Sequence, residues 1–254
     1  MNVKLASVQN RLDGLGLAFL SAGLESFLAQ PRTDEMTTLD LVSELVDLEV
    51  LPRKERSARS RIKLSGMPTI KQLDTFDLTW LKGGVTQKKF DELASLQFIE
   101  RNENVILLGS SGLGKTHLML GLAHRACTQG YTAYYTTCTD LMESMVRAKE
   151  QNRLKRRLTW LRKPHVLLVD EVGYEPLTAE QANLFFQVVN ARYETGSMII
   201  TTNKTFGAWA ETMRDEAIAS ATLDRLLHHA HALILKGDSY RMKDRIRNGV
   251  VDSE

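Results

Sequence analysis

The sequence lacks the features that would place a chain in a membrane, in a disulfide-bonded class or against a polyanion through its total charge. No apolar run approaches the roughly 20 residues of a membrane span, and the first ten residues lack the apolar block of a signal peptide. The two cysteines, Cys127 and Cys138, have no metal-ligand spacing, so we expect reduced thiols. The net charge is only +2, so nucleic-acid contact would need local clusters of charge. These absences predict a cytoplasmic protein without a membrane partner.

What is present is a phosphate-binding loop between an apolar run and a helical pattern. Residues 109–116 read Gly-Ser-Ser-Gly-Leu-Gly-Lys-Thr and follow the apolar run 105–108 directly. Glycines let successive backbone N–H groups point at phosphates, and the next helix presents its positive end to them. Lys115 would reach the β and γ phosphates, and the Thr116 hydroxyl would bind Mg²⁺. The predicted nucleotide-binding residues are Gly109, Ser110, Ser111, Gly112, Leu113, Gly114, Lys115, Thr116 and His117.

Two acids follow a second apolar run. The run at 166–169 suits a strand buried on both faces of a parallel sheet, and Asp170 and Glu171 come at its carboxyl end. Asp170 is the predicted second ligand of Mg²⁺, beside Thr116. Glu171 is the candidate for polarising the water that attacks the γ phosphate.

A third strand, 197–202, is followed by the amide of Asn203. Because an amide both donates and accepts hydrogen bonds, Asn203 could orient that water without adding charge. The same position argues against guanine specificity, because guanine-selective proteins have an Asn-Lys-x-Asp sequence here. In this chain Asn203-Lys204-Thr205 is followed by Phe206. ATP is therefore the expected nucleotide.

Two arginines near the end of the chain are further candidates. Arg225 lies in a Leu-Asp-Arg-Leu sequence, and Arg241 follows Gly-Asp-Ser-Tyr. A guanidinium group stabilises the charge that spreads over the phosphoryl oxygens during transfer. Spacing alone does not separate this role from that of an ordinary surface arginine.

The order of strands and helices predicts an α/β fold with a parallel sheet flanked by helices. Before it, residues 1–65 predict a small all-α domain, in which Pro52 breaks or restarts a helix. The Gly- and Pro-containing segment 66–80 predicts a linker, and 81–254 the nucleotide-binding domain.

Two basic clusters are candidates for DNA contact, as an alternative to ordinary solvated helix faces. The first comprises Arg53, Lys54, Arg56, Arg59, Arg61 and Lys63. The second comprises Lys149, Arg153, Lys155, Arg156 and Arg157, together with Arg147. Neither is interleaved with aromatic residues, and Trp160 and Trp209 are expected to be packing residues. We therefore expect contacts to the DNA backbone that are largely independent of sequence.

The histidines His228, His229 and His231 form a short cluster with no carboxylate or cysteine at ligand spacing. This spacing predicts no metal site there.

Taken in order, these motifs resemble those of AAA+ ATPases of the initiator and helicase-loader branch. The resemblance is strongest to the IstB-type ATP-binding proteins of insertion sequences, with DnaC-type helicase loaders next. It rests on the 109–116 loop, on Asp170 and Glu171, on Asn203, and on the segments 219–230 and 237–241. It covers most of the chain, strongly from about residue 75 onward.

The resemblance implies an AAA+ P-loop fold and a role for each remaining motif. Arg225 would be a finger inserted into a neighbouring subunit's site, Arg241 a sensor of the γ phosphate in its own subunit, and Asn203 the first sensor. A finger that acts in trans implies a homo-oligomeric ring or spiral. The resemblance further implies an ATPase that remodels duplex DNA and assists a DDE transposase.

Three alternatives stay open. A helicase loader would hold a replicative helicase and single-stranded DNA. A small-molecule kinase would have a substrate pocket, a mobile lid and no finger, and would be a monomer. A nucleotide switch would not depend on Glu171 for turnover.

Overall fold

The secondary structure described in the first of the two units of the chain is helical. The protein is described from a computed structural model that covers residues 3–31 and 36–240 and divides the chain into Met1–Ser60 and Arg61–Glu254. The helices of the N-terminal region are α1 Val3–Gly14, α2 Ala18–Ala29 and α3 Thr38–Leu64, which ends in the second unit. The predicted helical character of this region is confirmed. Within the described ranges no helix is long and apolar enough to cross a membrane.

The predicted break at Pro52 is wrong, because α3 continues through this residue. A proline inside a helix removes one backbone hydrogen bond and costs about 3 kcal/mol. Hydrogen bonds and an ion pair of Glu49 stabilise α3 in the turn that precedes Pro52. The Glu49 carboxylate accepts the N–H groups of Phe19 and Leu20 at the start of α2, both at 3.0 Å, and pairs with Arg53 at 2.7 Å. These bonds offset part of the cost of the proline.

The part of the second unit that the structure describes contains seven strands. They are β1 Leu81–Gly83, β2 Asn104–Leu108, β3 Ala133–Thr137, β4 Val166–Val172, β5 Ser197–Thr202, β6 Ala230–Ile234 and β7 Lys236–Gly237. β1 and β7 pair as a short antiparallel ribbon, and the other five form a parallel sheet in the order β3-β4-β5-β2-β6. The predicted parallel α/β sheet is confirmed, and its order brings the carboxyl ends of β2, β4 and β5 together.

Eight helices connect these strands in the described part of the second unit. They are α4 Gln87–Ala94, α5 Gln97–Glu100, α6 Lys115–Thr128, α7 Cys138–Glu150, α8 Leu154–Leu161, α9 Ala179–Arg192, α10 Trp209–Met213 and α11 Glu216–His228. The predicted helix 86–100 is divided at Leu96, and the helical run 207–229 is divided at Arg214. Both residues are left-handed, with φ of 64° and 53°. A left-handed residue ends a helix, because the next turn cannot continue its hydrogen bonds.

The sheet is buried on both faces. Alternate residues of β2 and β4 point to opposite sides, so Leu107 and Leu168 pack against α6, while Ile106 and Leu167 pack against the layer of α7 and α9. This explains why the strands read as continuous apolar runs. The two cysteines lie one in each layer and are both buried thiols, as expected.

The segment 66–80, predicted to be a linker, falls within the second unit. It contains two single turns of 3-10 helix, Leu73–Thr75 and Leu78–Trp80. Leu73 is buried in the core on the α6 side, and a Cβ placed on Gly121 of α6 would lie 3.2 Å from its Cα. This close approach fixes the segment on α6, so it belongs to the nucleotide-binding unit.

A buried arginine ties the middle of this unit together. Arg192, at the end of α9, donates to four backbone carbonyls at 2.7–3.1 Å: those of Leu161, Pro164, His165 and Ser197. Burial lowers the pKa of Arg192 to about 10, which leaves it charged at neutral pH. These carbonyls are at the end of α8, directly before β4 and at the start of β5. One side chain therefore links α8, β4 and β5.

Replacing Arg192 with Met should lower the free energy of unfolding by about 3 kcal/mol or more, because several buried carbonyls lose their donor at once. The matched control is Arg162→Met, since Arg162 is exposed and nearby in sequence; it should change stability by less than about 0.5 kcal/mol. Urea unfolding of both variants measures the difference. Equal midpoints would contradict this role for Arg192.

Candidate nucleotide-binding site

The 109–116 loop lies where the sequence places it, between β2 and α6. Gly112 and Gly114 both have φ of 85°, a left-handed conformation that disfavours side chains. A Cβ on Gly112 would collide with the side chain of Ser239, and one on Gly109 would lie 2.6 Å from the carbonyl oxygen of Leu235. The backbone N–H of Tyr240 donates to the Gly112 carbonyl at 2.8 Å. The loop is therefore held on one side by the segment that follows β6.

Lys115 is folded over this loop. Its Nζ donates to the carbonyl oxygens of Gly109 at 2.6 Å and Ser110 at 2.8 Å. These bonds keep the ammonium group above the loop backbone. Phosphate oxygens brought to the same place would compete with the two carbonyls for its protons.

Asp170 is the centre of a hydrogen-bond network at the carboxyl edge of the sheet. The side chain is 3% exposed. Its Oδ1 accepts from the hydroxyls of Thr116, at 3.1 Å, and Thr201, and its Oδ2 accepts from the Tyr135 hydroxyl at 3.1 Å. Burial and the charge of Asp170 raise the pKa of Tyr135, so the phenol stays a donor. The oxygens of Thr116 and Asp170 are the hard donors that Mg²⁺ prefers, so this pair fits the predicted metal site.

Glu171 is adjacent in sequence but points to solvent. The pairing of β4 with β5 shifts register between Val169 and Val172, and Glu171 has φ of 62°. Its N–H donates to Thr201 Oγ1 at 2.9 Å. Such a bulge changes the direction of one side chain within a strand. Here it leaves Asp170 buried and Glu171 exposed on the cleft.

A cleft of about 370 Å³ lies beside the loop. The predicted residues Lys115, Thr116, Glu171 and Asn203 all line it, as do most of the other loop residues. Its other wall comes from 69–81, with His117 and Tyr240. This volume is in the range of small-molecule sites. The structure therefore brings the strand-end residues together in one cleft.

The wall of the cleft formed by 69–81, His117 and Tyr240 contains four aromatic rings. The rings of Phe76 and His117 meet edge to face at 5.5 Å between centroids, and Trp80 and Tyr240 do so at 6.0 Å. Burial is the main cause that lowers the pKa of His117, which favours its neutral ring. Flat apolar surfaces of this kind suit a nucleobase.

This chain is similar in sequence to known proteins. Residues 10–248 match the model of the IstB-like ATP binding protein family. The chain belongs to this family. It is 41% identical over 240 residues to an ATP-binding protein of insertion sequence IS21 from Pseudomonas aeruginosa, covering 94% of this chain and 90% of that one. It is 39% identical to the ATP-binding protein of IS5376 from Geobacillus stearothermophilus, covering 84% of each.

Solved structures agree on the fold. The DnaC helicase loader superposes with a TM-score of 0.53 at 22% identity, covering 65% of this chain and 96% of that one. With the sheet described above, this confirms an AAA+ P-loop fold with an additional helical N-terminal region. The family match confirms the resemblance to IstB-type proteins that the motifs indicated.

The two candidate arginines come from different segments of the chain, and one of them lies within the described residues. Arg225 lies on α11, half-buried, with its guanidinium carbon 4.6 Å from the centroid of the Phe186 ring. It does not line the cleft. Arg241 lies outside the described residues, directly after Tyr240.

In the first basic cluster, three of the six candidates are engaged within their own units. Arg53 pairs with Glu49 and also donates to the Gly16 carbonyl at 2.7 Å, and Arg61 donates to the Cys127 carbonyl at 2.8 Å. Arg59 is exposed and pairs with Glu55 at 3.4 Å. The side chains of the remaining candidates are exposed on α3: Lys54, Arg56 and Lys63.

The second cluster divides in the same way. Lys149 pairs with Glu180 at 2.6 Å, and Arg157 packs on the Trp160 ring at 4.7 Å and donates to Ser144. Arg153, Lys155 and Arg156 are exposed, and together with Lys163 and Trp160 they line one shallow surface pocket. Trp160 is 38% exposed, so the expectation that no aromatic accompanies this cluster is wrong. Trp209 is fully buried, as expected of a packing residue.

Sequence reasoning missed the residues that hold the site together. Tyr135 and Thr201 reach Asp170 only because β3 and β5 flank β4 in the sheet. The aromatic wall falls in the segment predicted to be a linker. A polar residue near the carboxyl end of each strand was the available signal for Tyr135 and Thr201.

Replacing Tyr135 with Phe should raise the Mg²⁺ concentration needed for half-maximal binding of a fluorescent ATP analogue by about tenfold or more, because residues that hold a metal ligand tune its affinity. Binding without Mg²⁺ should change little. Tyr134→Phe is the control, since Tyr134 is adjacent on β3 and packs against Trp160 instead. The same Mg²⁺ dependence in both variants would contradict the role of Tyr135.

Proposed function

We propose that this protein is an ATPase that assembles with further copies of itself on duplex DNA and assists a transposase. The observation that carries the proposal is the meeting of three groups in one cleft. The Thr116 hydroxyl and the Asp170 carboxylate lie 3.1 Å apart, and Glu171 lines the same cleft. A nucleotide-binding loop, a pair of oxygen donors and a free carboxylate are what metal-assisted phosphoryl transfer to water requires.

Each residue of the cleft has a defined part in the proposed reaction. The loop N–H groups and Lys115 bind the phosphates. On binding, Lys115 exchanges its hydrogen bonds to two loop carbonyls for hydrogen bonds to phosphate oxygens. Thr116 and Asp170 hold Mg²⁺, which would neutralise charge on the phosphates. Glu171 accepts a proton from the attacking water, and Asn203 orients that water. Arg241 would contact the γ phosphate within the same subunit.

The position of Arg225 supports an oligomer. It lies on α11 and does not line the cleft of its own chain. If Arg225 stabilises the transition state, it would have to do so in the site of a neighbouring copy. A ring or spiral supplies one such arginine to each site.

The exposed basic residues support a DNA role, and the relatives support the choice of partner. Besides the paired Arg53 and Arg59, three exposed cations lie on α3, and three lie at or on α8 beside Trp160. Relatives with 41% and 39% identity are named as ATP-binding proteins of insertion sequences. Elements of this kind move by transposition, so a transposase is the proposed protein partner.

Glu171→Gln should lower the ATP turnover rate by about 100-fold or more while ATP binding is retained, because general-base catalysis contributes factors of this size. Glu175→Gln is the control, since Glu175 is an exposed acid four residues later, after the end of β4. Arg225→Ala should also be inactive alone. A mixture of Glu171→Gln and Arg225→Ala chains should regain part of the activity, because some sites then combine an intact Glu171 with an intact Arg225 from a neighbour.

The control mixture combines Glu171→Gln with Asp170→Asn, whose defects lie in the same site, and it should stay inactive. If the first mixture also stays inactive, the finger does not act in trans. Unchanged turnover in Glu171→Gln would favour the nucleotide switch. A monomer with a third substrate would favour the kinase.

Replacing Arg153, Lys155 and Arg156 together with Ala should weaken binding to duplex DNA and reduce the slope of log K against log salt by about 2 to 3, since each lost phosphate contact removes about 0.9. The control replaces Lys88, Arg101 and Lys236, which are exposed elsewhere and carry the same total charge. Equal slopes for both triple variants would show that bulk charge, not this surface, binds DNA. Tighter binding to single strands would favour the helicase loader.

A further inference from the structure

Three metal-ligand side chains meet at the end of α11, outside the nucleotide cleft. Glu194, His228 and His229 each offer a donor atom, and the three atoms lie within 4.8 Å of one another. The sequence predicted no metal site because no carboxylate stands near these histidines along the chain. That premise is wrong in three dimensions, because the turn after α9 brings Glu194 to them. His231 is not part of the group, since its Nε2 lies 2.7 Å from a Glu103 oxygen.

The backbone that carries these donors is fixed by one short segment between α5 and β2. The N–H of Asn104 donates to the His229 carbonyl at 2.8 Å, and the Asn102 amide donates to the Glu194 carbonyl at 3.3 Å. Asn102 and Glu194 both have left-handed backbones, with φ of 54° and 56°. The two halves of the group are thus attached to the same anchor, although they come from different elements.

The side chains are also oriented. The rings of His228 and His229 have centroids 4.1 Å apart, and the Tyr193 hydroxyl lies 2.8 Å from Nδ1 of His228. A hydrogen bond to a histidine ring fixes its orientation and tunes it as a ligand. All three donor residues are exposed, so a metal ion and a water molecule can reach them.

We propose that Glu194, His228 and His229 bind one divalent transition-metal ion, with Zn²⁺ as the ion of best fit. Two imidazoles and one carboxylate are a donor set that Zn²⁺ accepts, with water as the fourth ligand. Mg²⁺ and Ca²⁺ prefer oxygen-only sites, so this group selects against them. Tetrahedral bonds of about 2.0–2.1 Å place donors about 3.3 Å apart, so donor atoms that lie within 4.8 Å of one another must approach by at most about 1.5 Å.

Such an ion would join the end of α9 to the end of α11. Arg225 lies three residues before His228, and residues with this spacing share a face of a helix. The ion would therefore hold the last turn of the helix that carries Arg225. The importance of this effect for activity rests on the proposed role of Arg225, whereas metal binding itself does not depend on that role.

The test is calorimetric titration of the metal-stripped full-length protein with Zn²⁺ alone, in a buffer without chelating groups. One Zn²⁺ per chain should bind with micromolar affinity or tighter. His229→Ala and Glu194→Gln should each weaken binding at least about tenfold, while His124→Ala, the control, leaves it unchanged. His229→Cys should retain binding, because a thiolate is also a zinc ligand.

A second measurement separates ligation from a general loss of structure. Co²⁺ added in place of Zn²⁺ should give the intense visible absorption of a tetrahedral site in wild type and in His229→Cys, but not in His229→Ala. Each variant should unfold at the wild-type temperature in EDTA. Absence of Zn²⁺ binding by the wild type, or binding that survives both His229→Ala and Glu194→Gln, would overturn the proposal. Neither result would affect the proposed ATPase activity.

Discussion

The buried carboxylate of Asp170 is the constraint on which the rest of the site depends. At 3% exposure it would cost several kcal/mol without partners, because a charge taken out of water needs compensating donors. Three hydroxyls supply them: Thr116 from α6, Tyr135 from β3 and Thr201 from β5. The strand that carries the acids is therefore tied to its two neighbours and to the helix that follows the phosphate-binding loop. A shift of any of these elements breaks a bond to the same carboxylate.

Two adjacent acids with opposite requirements explain the irregular end of β4. In a regular strand Glu171 would point to the face opposite Asp170, which is covered by apolar residues of α7 and α9. The bulge and the left-handed backbone of Glu171 avoid that burial and direct its side chain to the cleft. The Thr201 hydroxyl serves both acids, since it donates to Asp170 and accepts the N–H of Glu171. The exposure of one acid thus depends on the same hydroxyl as the burial of the other.

The features of the fold and the site that could be predicted from the sequence are those that depend on residues close together in the chain. The loop, the helix after it and the apolar strands were predictable, because glycine spacing and hydrophobic runs reflect neighbouring residues. The capping box of α9, with Thr178 and Gln181 exchanging hydrogen bonds, was predictable for the same reason. The bond from Tyr135 to Asp170 was not, since it follows from the order of strands in the sheet. The packing of Leu73 on α6 and the meeting of Glu194 with His228 are likewise products of tertiary structure.

Runs of basic residues also show that the sequence alone does not reveal tertiary contacts. A run of basic residues in a sequence does not show which of its side chains already make hydrogen bonds, ion pairs or ring contacts within the folded protein. Arg53 and Arg61 are bonded within their own units, Lys149 is paired and Arg157 is stacked on Trp160. Desolvating these groups onto phosphate would require breaking bonds that already satisfy them, so their net gain on DNA binding is small. The exposed residues around α8 lose only water. The proposed DNA surface therefore comprises the cations that the fold leaves to solvent, and those around α8 lie beside the partly exposed ring of Trp160.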